Sequence, residues 1–308
     1  MNQQKKYQQT LNTAVTLTGI GLHSGKSAQI TLRPARAGHG IVFVRTDLEG
    51  APQIPALFKN VVSTQLATTL GRGKATISTV EHVLAALQGL GIDNVLIEVN
   101  GPEVPILDGS SAPFCEAISE VGIETQSTFR PVLVLRRKVE VKVGEKWAVA
   151  EPSARLEVHG SIEWDHPMIG FQEFHYIDGK TSFEEISAAR TFCMLRDVEM
   201  MKKMGLALGG SLDNAVVLDN TSVLNPGGFR YADEMVRHKV LDALGDFKLA
   251  GVSIQAYVRM HRAGHELHNQ LVAAIFANPD NYEIIESPEQ EIRIPQIAAL
   301  AHSLIAVS

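Results

Sequence analysis

Two short segments of this chain place histidine beside a carboxylate in a spacing that suits metal-assisted hydrolysis. His238 and Asp242 lie four residues apart, so on a helix both side chains leave the same face, one turn apart. Glu81 and His82 open a second segment in which apolar residues follow a helical spacing. If the two helices meet, His82 adds a third ligand and leaves a fourth position open, as a catalytic zinc ion requires. Glu81, next to a ligand, then stands where a general base for water is needed.

Each of these residues also has an ordinary structural interpretation. A lone His-x3-Asp pair is more often hydrogen-bonded or solvated than bound to a metal. His261 and His265 form a competing cluster, but Gly264 between them favours a turn over a helix. We interpret His265 as a proton donor or oxyanion partner, with Asp246 holding its imidazole charged. The residue pattern alone leaves these alternatives open.

The elements that would carry these residues follow one plan twice. Before the first histidine helix we predict strands at 13–18, 28–33 and 40–45, and after it a strand at 95–99. Before the second helix we predict strands at 132–135, 139–143 and 156–162, and after it a strand at 252–258. We expect Gly89 and Gly91 to end the first helix and the polar stretch 126–130 to form a linker. The pattern predicts two similar halves.

The second half contains a segment, about 193–223, without a counterpart in the first. An apolar helical face is predicted from the spacing of Met194, Leu195, Val198, Met201 and Met204. A glycine-rich stretch and a strand at 215–218 follow it. A methionine-rich face is more often packed into a core, and the alternative is a flexible surface that accepts an acyl chain.

Composition narrows the class of protein. Of 308 residues, 45% are hydrophobic and 20% charged, enough for a packed core in one large domain or two of ordinary size. The formal net charge of −6 argues against a nucleic-acid partner bound through its phosphates. Cys115 and Cys193 are too few for a disulfide framework, while eleven histidines favour a metal site of imidazole and carboxylate.

The sequence predicts neither a signal peptide nor a membrane span. The first ten residues are polar and lack the apolar core of a signal peptide. The longest unbroken apolar run, 271–277, is far shorter than a membrane span. We therefore expect a cytoplasmic protein with no integral membrane segment, and we expect it to be a monomer.

Several familiar catalytic motifs are also missing from the sequence. It contains no Gly-x4-Gly-Lys-Ser/Thr, no complete dinucleotide fingerprint and no Gly-x-Ser-x-Gly. It contains no His-Glu-x-x-His either, which argues against the ordinary zinc metalloproteases. From the residues alone, the interpretation ends at a two-half, zinc-dependent hydrolase.

The motifs taken together resemble a known family, the zinc-dependent UDP-3-O-acyl-N-acetylglucosamine deacetylases of lipid A biosynthesis in Gram-negative bacteria. The matching segments run in family order from about residue 11 to 276. They are GIGLHSG at 19–25, STVEH at 78–82, GIDN at 91–94, DGSSAPF at 108–114, ARTF at 189–192, LGGS at 208–211, RHKVLDALGD at 237–246 and GH at 264–265.

The resemblance implies an α+β fold: two similar βα domains forming a sheet-helix-helix-sheet sandwich, with a βαβ-like insert in the second. We place the domains at 1–127 and 128–308. It implies His82, His238 and Asp242 as ligands of one Zn²⁺ per chain, with Fe²⁺ as the alternative in the cell. It implies Glu81 as general base. The remaining implied catalytic residues are Thr191 for the oxyanion and His265, kept protonated by Asp246 with Asp108 nearby.

The resemblance further implies the reaction and its substrate contacts. The 2-N-acetyl group of UDP-3-O-(3-hydroxyacyl)-N-acetylglucosamine is hydrolysed to acetate and a free amine, the committed step of lipopolysaccharide lipid A synthesis. Lys239 and Arg262 would face the diphosphate, with Lys146 as a further candidate, and Trp164 would stack on uracil or else anchor the core. An acyl-chain passage is implied with Leu22 and Phe192 at its mouth and a lining of Leu195, Val198, Met201, Ala207, Ser211 and Val217.

Two other functions stay open at this point. One is a non-catalytic binder of nucleotide-sugar lipids, against which the intact set of catalytic residues argues. The other is a zinc hydrolase of the same architecture acting on a different acylated substrate. After about residue 285 the resemblance ends, and the spacing of Ile297, Leu300 and Leu304 suggests a packed amphipathic helix.

Overall fold

The computed structural model describes residues 6–287 and contains both helices and sheets, so the predicted α+β class is correct. The strands of the first half are β1 (Tyr7–Leu11), β2 (Val15–Ile20), β3 (Ser27–Pro34), β4 (Ile41–Arg45), β5 (Gln53–Pro55), β6 (Val61–Ser63), β7 (Thr69–Arg72), β8 (Ala75–Ile77), β9 (Val95–Val99) and β10 (Ile123–Phe129). Those of the second half are β11 (Val132–Leu135), β12 (Val139–Val143), β13 (Lys146–Glu151), β14 (Leu156–Trp164), β15 (Gly170–Ile177), β16 (Phe192–Met194), β17 (Val216–Leu218), β18 (Ser253–His261) and β19 (Tyr282–Ile285).

Helices occur in both halves. The α-helices are α1 (Glu81–Leu90), α2 (Ala112–Val121), α3 (Glu184–Ser187), α4 (Leu195–Lys203), α5 (Glu234–Phe247) and α6 (His265–Ala277). Short 3-10 helices cover Phe58–Asn60, Lys248–Ala250 and Pro279–Asn281. Among the described residues, no helix has both the length and the apolar character needed to cross a membrane.

The main sheet of the first half has five strands in the order β2-β3-β9-β4-β5. β3 alternates buried and exposed residues at its start, as expected for a strand with one face against the core. β4 is buried throughout and pairs in parallel with β9, the strand that follows α1. Parallel strands need a crossover connection, and α1 is the last element of the one that leads from β4 to β9.

The second half is built around β18, the strand that follows α5. β18 pairs in parallel with β11 and β14 and antiparallel with β13, within a seven-stranded sheet. Its residues alternate between half-buried and buried, so one face lies against the core. In both halves, then, a histidine-bearing helix leads into a strand that pairs in parallel with an earlier one. The sequence similarity of the segments around His82 and His238 therefore corresponds to a similar helix-strand arrangement in the two halves.

α1 and α5 pack against each other between the two apolar cores. Residues of α1 such as Val83 and Leu84 lie in the core of the first sheet, and residues of α5 such as Val240 and Leu244 lie in the core of the second. At Gly245 the backbones approach so closely that a β-carbon would lie 2.1 Å from the Glu81 carbonyl oxygen. Glycine is therefore required there, and the contact brings the start of α1 to α5.

The insert of the second half is a βαβ unit, as predicted. β16 and β17 pair in parallel and α4 connects them. None of the residues of α4 is buried: on the predicted face, Leu195 is 47% exposed and Val198 and Met201 are half-buried. Met194, which precedes the helix, is buried. The expectation that this methionine-rich face packs into a core is therefore wrong for α4.

Two local expectations need correction. The predicted linker at 126–130 is mostly strand, because β10 runs to Phe129 and pairs with β1. Arg130 is buried and forms an ion pair with Asp93 at 2.9 Å, which ties the segment down. Gly89 lies inside α1, where its missing side chain makes room for the Phe183 ring. The predicted tail helix near residue 300 lies outside the described residues.

Candidate active site

α1 carries two predicted site residues in its first turn, Glu81 and His82. Both are buried, together with the next five residues of the helix. A carboxylate at this end of a helix is stabilised by the helix dipole, but a buried charge also needs partners. The helix stops at Gly91, whose φ of 73° is the left-handed conformation common at helix C-termini.

His82, His238 and Asp242 converge where α1 meets α5. Each offers one ligand atom, and these atoms lie within 4.8 Å of one another. The Oδ1 atom of Asp242 is 3.3 Å from Nε2 of His238 and 3.7 Å from Nε2 of His82. All three residues are buried. The structure therefore brings together the three candidate ligands that the sequence placed on two helices.

The hydrogen bonds around this cluster leave a carboxylate oxygen free. Within residues 6–287, Asp242 Oδ1 is buried without a hydrogen-bond partner. His82 faces this oxygen with Nε2. His238 Nδ1 lies 3.0 Å from the Ala189 carbonyl oxygen, which fixes the ring, and Lys239 Nζ donates to Asp242 Oδ2 at 3.0 Å. A bare carboxylate oxygen between two imidazoles is the arrangement that a bound cation satisfies. The cluster fits a metal ion, and its imidazole and carboxylate donors suit zinc and similar metals.

The electrostatics favour the same interpretation. Burial lowers the pKa of His238 to about 3, so its imidazole is neutral near pH 7, the form that binds a metal. Burial acts to raise the pKa of Asp242, but the neighbouring His238 and Lys239 hold it well below its usual value. The cluster thus presents neutral nitrogen and charged oxygen.

Glu81 lies beside this cluster and faces a second one. Its Oε2 accepts a hydrogen bond from the Thr68 backbone N–H at 3.0 Å, and its Oε1 lies 3.8 Å from His265 Nε2. Burial raises the pKa of Glu81 above its ordinary value. A raised pKa makes a carboxylate a stronger base, which suits proton abstraction from water.

Asp246 is the centre of the second cluster. Its Oδ2 lies 2.8 Å from Nδ1 of both His265 and His268, and its Oδ1 accepts from the Thr68 hydroxyl at 2.6 Å. Burial acts to lower the pKa of His265, but the Asp246 and Glu81 carboxylates raise it to about 9. Burial acts to raise the pKa of Asp246, but mainly the charge of His265 lowers it to about 2. At neutral pH the pair is therefore an imidazolium and a carboxylate.

A cavity of about 420 Å³ opens onto both clusters. Many of the residues predicted for the site line it: Leu22, Glu81, His82, Lys146, Thr191, Phe192, His238, Lys239, Asp242 and His265. Thr191 is held at the wall because its amide donates to the Gly109 carbonyl at 2.8 Å. The candidate metal ligands, the candidate base and the candidate acid thus share one solvent-connected space.

Two predicted substrate contacts lie outside the set that lines this cavity. The Trp164 ring packs edge-on against Phe192, with 5.5 Å between centroids, and belongs to a small apolar cluster. Arg262 Nη1 is 3.7 Å from Glu145 Oε2. Asp108 forms an ion pair with Arg230 at 2.7 Å, and its expected place near His265 stays a prediction.

The predicted acyl-passage residues of the insert also lie outside this cavity wall. They are Leu195, Val198, Met201, Ala207, Ser211 and Val217. Of these, Val217 is buried in the βαβ unit, whereas Leu195 is 47% exposed. The far end of the insert nevertheless returns to the cavity mouth, because Gly209 N donates to the Leu22 carbonyl at 3.0 Å.

Sequence reasoning missed three residues of the site. His268 is on the same face of α6 as His265, and that spacing of three was a usable signal. Glu103 accepts hydrogen bonds from the backbones of His23 and Ser24 and so holds the loop that carries Leu22. Thr68 gave no signal, since its partner Asp246 lies 178 residues away in the chain.

Comparison with known proteins identifies the family. The profile of the UDP-3-O-acyl N-acetylglycosamine deacetylase family matches residues 8–277. The chain is 49% identical over 286 residues to the UDP-3-O-acyl-N-acetylglucosamine deacetylase of Myxococcus xanthus, covering 92% of this chain and 91% of that one. The enzyme of the same name from Geobacter sp. strain M21 is 47% identical over 290 residues, covering 94% and 95%. That of Campylobacter hominis is 44% identical over 284 residues, covering 92% and 96%. The chain therefore belongs to the family of UDP-3-O-acyl-N-acetylglucosamine deacetylases.

Proposed function

We propose that this protein hydrolyses the 2-N-acetyl group of UDP-3-O-(3-hydroxyacyl)-N-acetylglucosamine to UDP-3-O-acyl-glucosamine and acetate, the committed step of lipid A biosynthesis. Family membership supports the substrate. The observation that carries the chemistry is the convergence of a His-His-Asp set and the Glu81, His265 pair on one cavity. An amide hydrolase needs a metal site, a base and an acid at such a place.

The resident metal is proposed to be zinc, with Fe²⁺ as the alternative in the cell. His82, His238 and Asp242 would hold it. When bound, such an ion lowers the pKa of water and polarises an amide carbonyl. The neutral imidazole of His238 and the partner-free Oδ1 of Asp242 support this assignment.

Glu81 and His265 divide the proton transfers. Glu81, with its raised pKa, takes a proton from the attacking water. His265, protonated at neutral pH beside Asp246, stabilises negative charge on the tetrahedral oxygen or delivers a proton to the leaving amine. The Thr191 hydroxyl, on the cavity wall, donates to the same oxygen.

Substrate contacts are proposed from their positions around the cavity. Lys239 and Lys146 line it and offer ammonium groups to the diphosphate. Arg262 pairs with the largely exposed Glu145 and would have to exchange that partner for a phosphate. Trp164, beside Phe192, would need to present its ring to uracil. The insert, which returns to Leu22 at the mouth, is proposed to receive the acyl chain.

The test is acetate release from the UDP-linked substrate by metal-stripped protein, followed by addition of substoichiometric zinc. We expect release to vanish on stripping and to return with zinc, while the far-UV circular dichroism stays unchanged. No release at any zinc level from folded protein would refute the proposal. If the protein bound this substrate tightly without hydrolysing it, the result would favour a non-catalytic binder of nucleotide-sugar lipids. If it released acid from other N-acyl sugars, the result would favour a zinc hydrolase with a different acylated substrate.

Three further assignments remain predictions. They are the monomeric state, the cytoplasmic location and the domain division after residue 127. That division falls within β10, which ends at Phe129 and pairs with the N-terminal strand β1.

A further inference from the structure

Thr68 lies between the carboxylates of Glu81 and Asp246 and is hydrogen-bonded on three sides. Its backbone N–H donates to Glu81 Oε2 at 3.0 Å. Its backbone carbonyl accepts from the amide of Val80, the residue before Glu81, at 3.3 Å. Its hydroxyl donates to Asp246 Oδ1 at 2.6 Å. Since it is 1% exposed, solvent does not compete for these bonds.

The hydroxyl of Thr68 has a particular place among the donors to Asp246. The two imidazoles, of His265 and His268, both lie against Oδ2. Thr68, from the first half of the chain, donates to the other oxygen, Oδ1. Donors on both oxygens fix the rotation of the carboxylate about its Cβ–Cγ bond, and thereby the direction in which Oδ2 holds His265. The short O–H···O distance is typical of a hydrogen bond to an ionised carboxylate.

We propose that Thr68 is a positioning residue that couples the general base to the Asp246–His265 pair across the meeting point of the two halves. Its backbone orients Glu81 on α1, and its side chain orients Asp246 on α5. One residue thus sets the separation of Glu81 and His265, whose facing atoms lie 3.8 Å apart. The proposal rests on the roles given above to Glu81 and His265.

This position explains why a hydroxyl, rather than any small side chain, is used. A valine would match the shape of Thr68 and would keep both backbone bonds, but it would leave Asp246 Oδ1 buried without a donor. The carboxylate could then rotate, and His265 would move with it. A misplaced acid lowers the rate of the chemical step without changing how the substrate binds.

The experiment compares four variants for kcat, KM, zinc content and thermal midpoint: Thr68→Val, Thr68→Ser, Thr68→Ala and Thr69→Val. We expect Thr68→Val to lower kcat about tenfold or more with KM and zinc content unchanged. Thr68→Ser keeps the hydroxyl and should restore most of the turnover. Thr69→Val is the matched control, since the Thr69 hydroxyl donates to Ser78 at 3.1 Å and lies outside the cavity lining.

The proposal would be overturned if the kcat of the Thr68→Val variant were within twofold of the wild-type value. Loss of zinc, or equal loss in Thr68→Ser and Thr68→Val, would also overturn it, since the residue would then be merely structural. If the valine variant does not fold, the Ser and Ala variants, which differ by one oxygen, decide the question in the same way. Glu81→Ala and His265→Ala are assayed alongside. Normal turnover in those two would refute the assigned roles, whereas a loss in them with normal Thr68→Val would refute only the coupling.

Discussion

Gly245 of α5 lies against the backbone carbonyl of Glu81 in α1, so closely that a β-carbon on Gly245 would be 2.1 Å from that oxygen. The contact is backbone to backbone, and neither side can move aside as a flexible side chain would. It sets how closely His82, next to Glu81, approaches His238 and Asp242. The separation of the candidate metal ligands therefore depends on a residue that has no side chain.

Gly245→Ala should separate the helices. We expect the free energy of unfolding to fall by about 1–3 kcal/mol and zinc affinity to fall with it, because the added methyl group overpacks the contact. Urea denaturation and metal titration measure the two effects. Gly227→Ala is the control, since Gly227 is exposed and its added carbon meets nothing within 4 Å. Alanine is about 1 kcal/mol better than glycine in a helix, so unchanged or increased stability in Gly245→Ala would contradict the packing argument.

Glu81→Ala and His265→Ala should each lower turnover strongly while zinc stays bound. Neither residue belongs to the His-His-Asp set, so the metal site keeps its ligands. Loss of a general acid or base costs about 10²–10⁴ in rate. Turnover and zinc content are measured on the same preparations. Near-normal turnover in either variant removes the role assigned to that residue.

Turnover should depend on pH with an alkaline limit near pH 9. Burial acts to lower the pKa of His265, but Asp246 and Glu81 raise it to about 9, so the active protonated form is lost above that pH. Asp246→Asn removes the largest raising interaction and should move the alkaline limit of kcat to lower pH. A limit that stays in place would show that another group titrates there.

The same ionisation links to stability. His265 has a folded-state pKa above the ordinary value of 6.5. Its contribution to the free energy of unfolding is therefore complete below pH 6.5 and is lost as the pH rises through about 9. We expect the wild-type protein to lose stability over this window and His265→Ala to lose less. Urea denaturation at several pH values measures the difference, and equal losses would contradict the assignment.

Arg190→Met should destabilise the fold more than substitution of an exposed arginine. Arg190 is buried and paired with Glu234 at 2.8 Å, and Glu234 is fully buried. Removing one partner leaves an uncompensated charge, which costs about 3–5 kcal/mol. Arg137→Met is the control, since Arg137 and Asp280 are 61% and 65% exposed and such pairs contribute less than about 1 kcal/mol. Equal changes in the urea midpoints of the two variants would contradict this ranking.

Exchange of the insert, about 193–223, between family members should change the preferred acyl length. Each buried methylene of the acyl chain contributes about 0.8 kcal/mol to binding. An insert that can no longer bury part of the acyl chain therefore weakens substrate binding with every carbon left exposed. The measurement is kcat/KM over a series of acyl lengths. A preference that stays with the rest of the chain would exclude the insert as the acyl site.

Local patterns in the sequence were sufficient to predict many of the strands and the two helices that carry His82 and His238. The i, i+4 pair of His238 and Asp242 is a property of one helix, and the strands β2, β3, β4, β11, β12 and β14 follow from alternation and turns. The motif resemblance also predicted the family and many of the residues that line the cavity. These features depend on neighbours in the chain, which is why a sequence contains them.

The contacts between residues distant in sequence were decided only by the tertiary structure. The meeting of α1 and α5 at Gly245 brings His82 to its partners, and the hydrogen bond of Thr68 to Asp246 joins residues 178 positions apart. The polar stretch 126–130 looked like a linker because the groups that hold it are distant in sequence. Strand β1 pairs with the stretch, and Asp93 forms the ion pair with Arg130. The apolar face of α4 looked like part of a core because spacing shows which residues share a face, and not what covers that face. Each of these depends on long-range packing, whose energy comes from surfaces that meet only after the chain has folded.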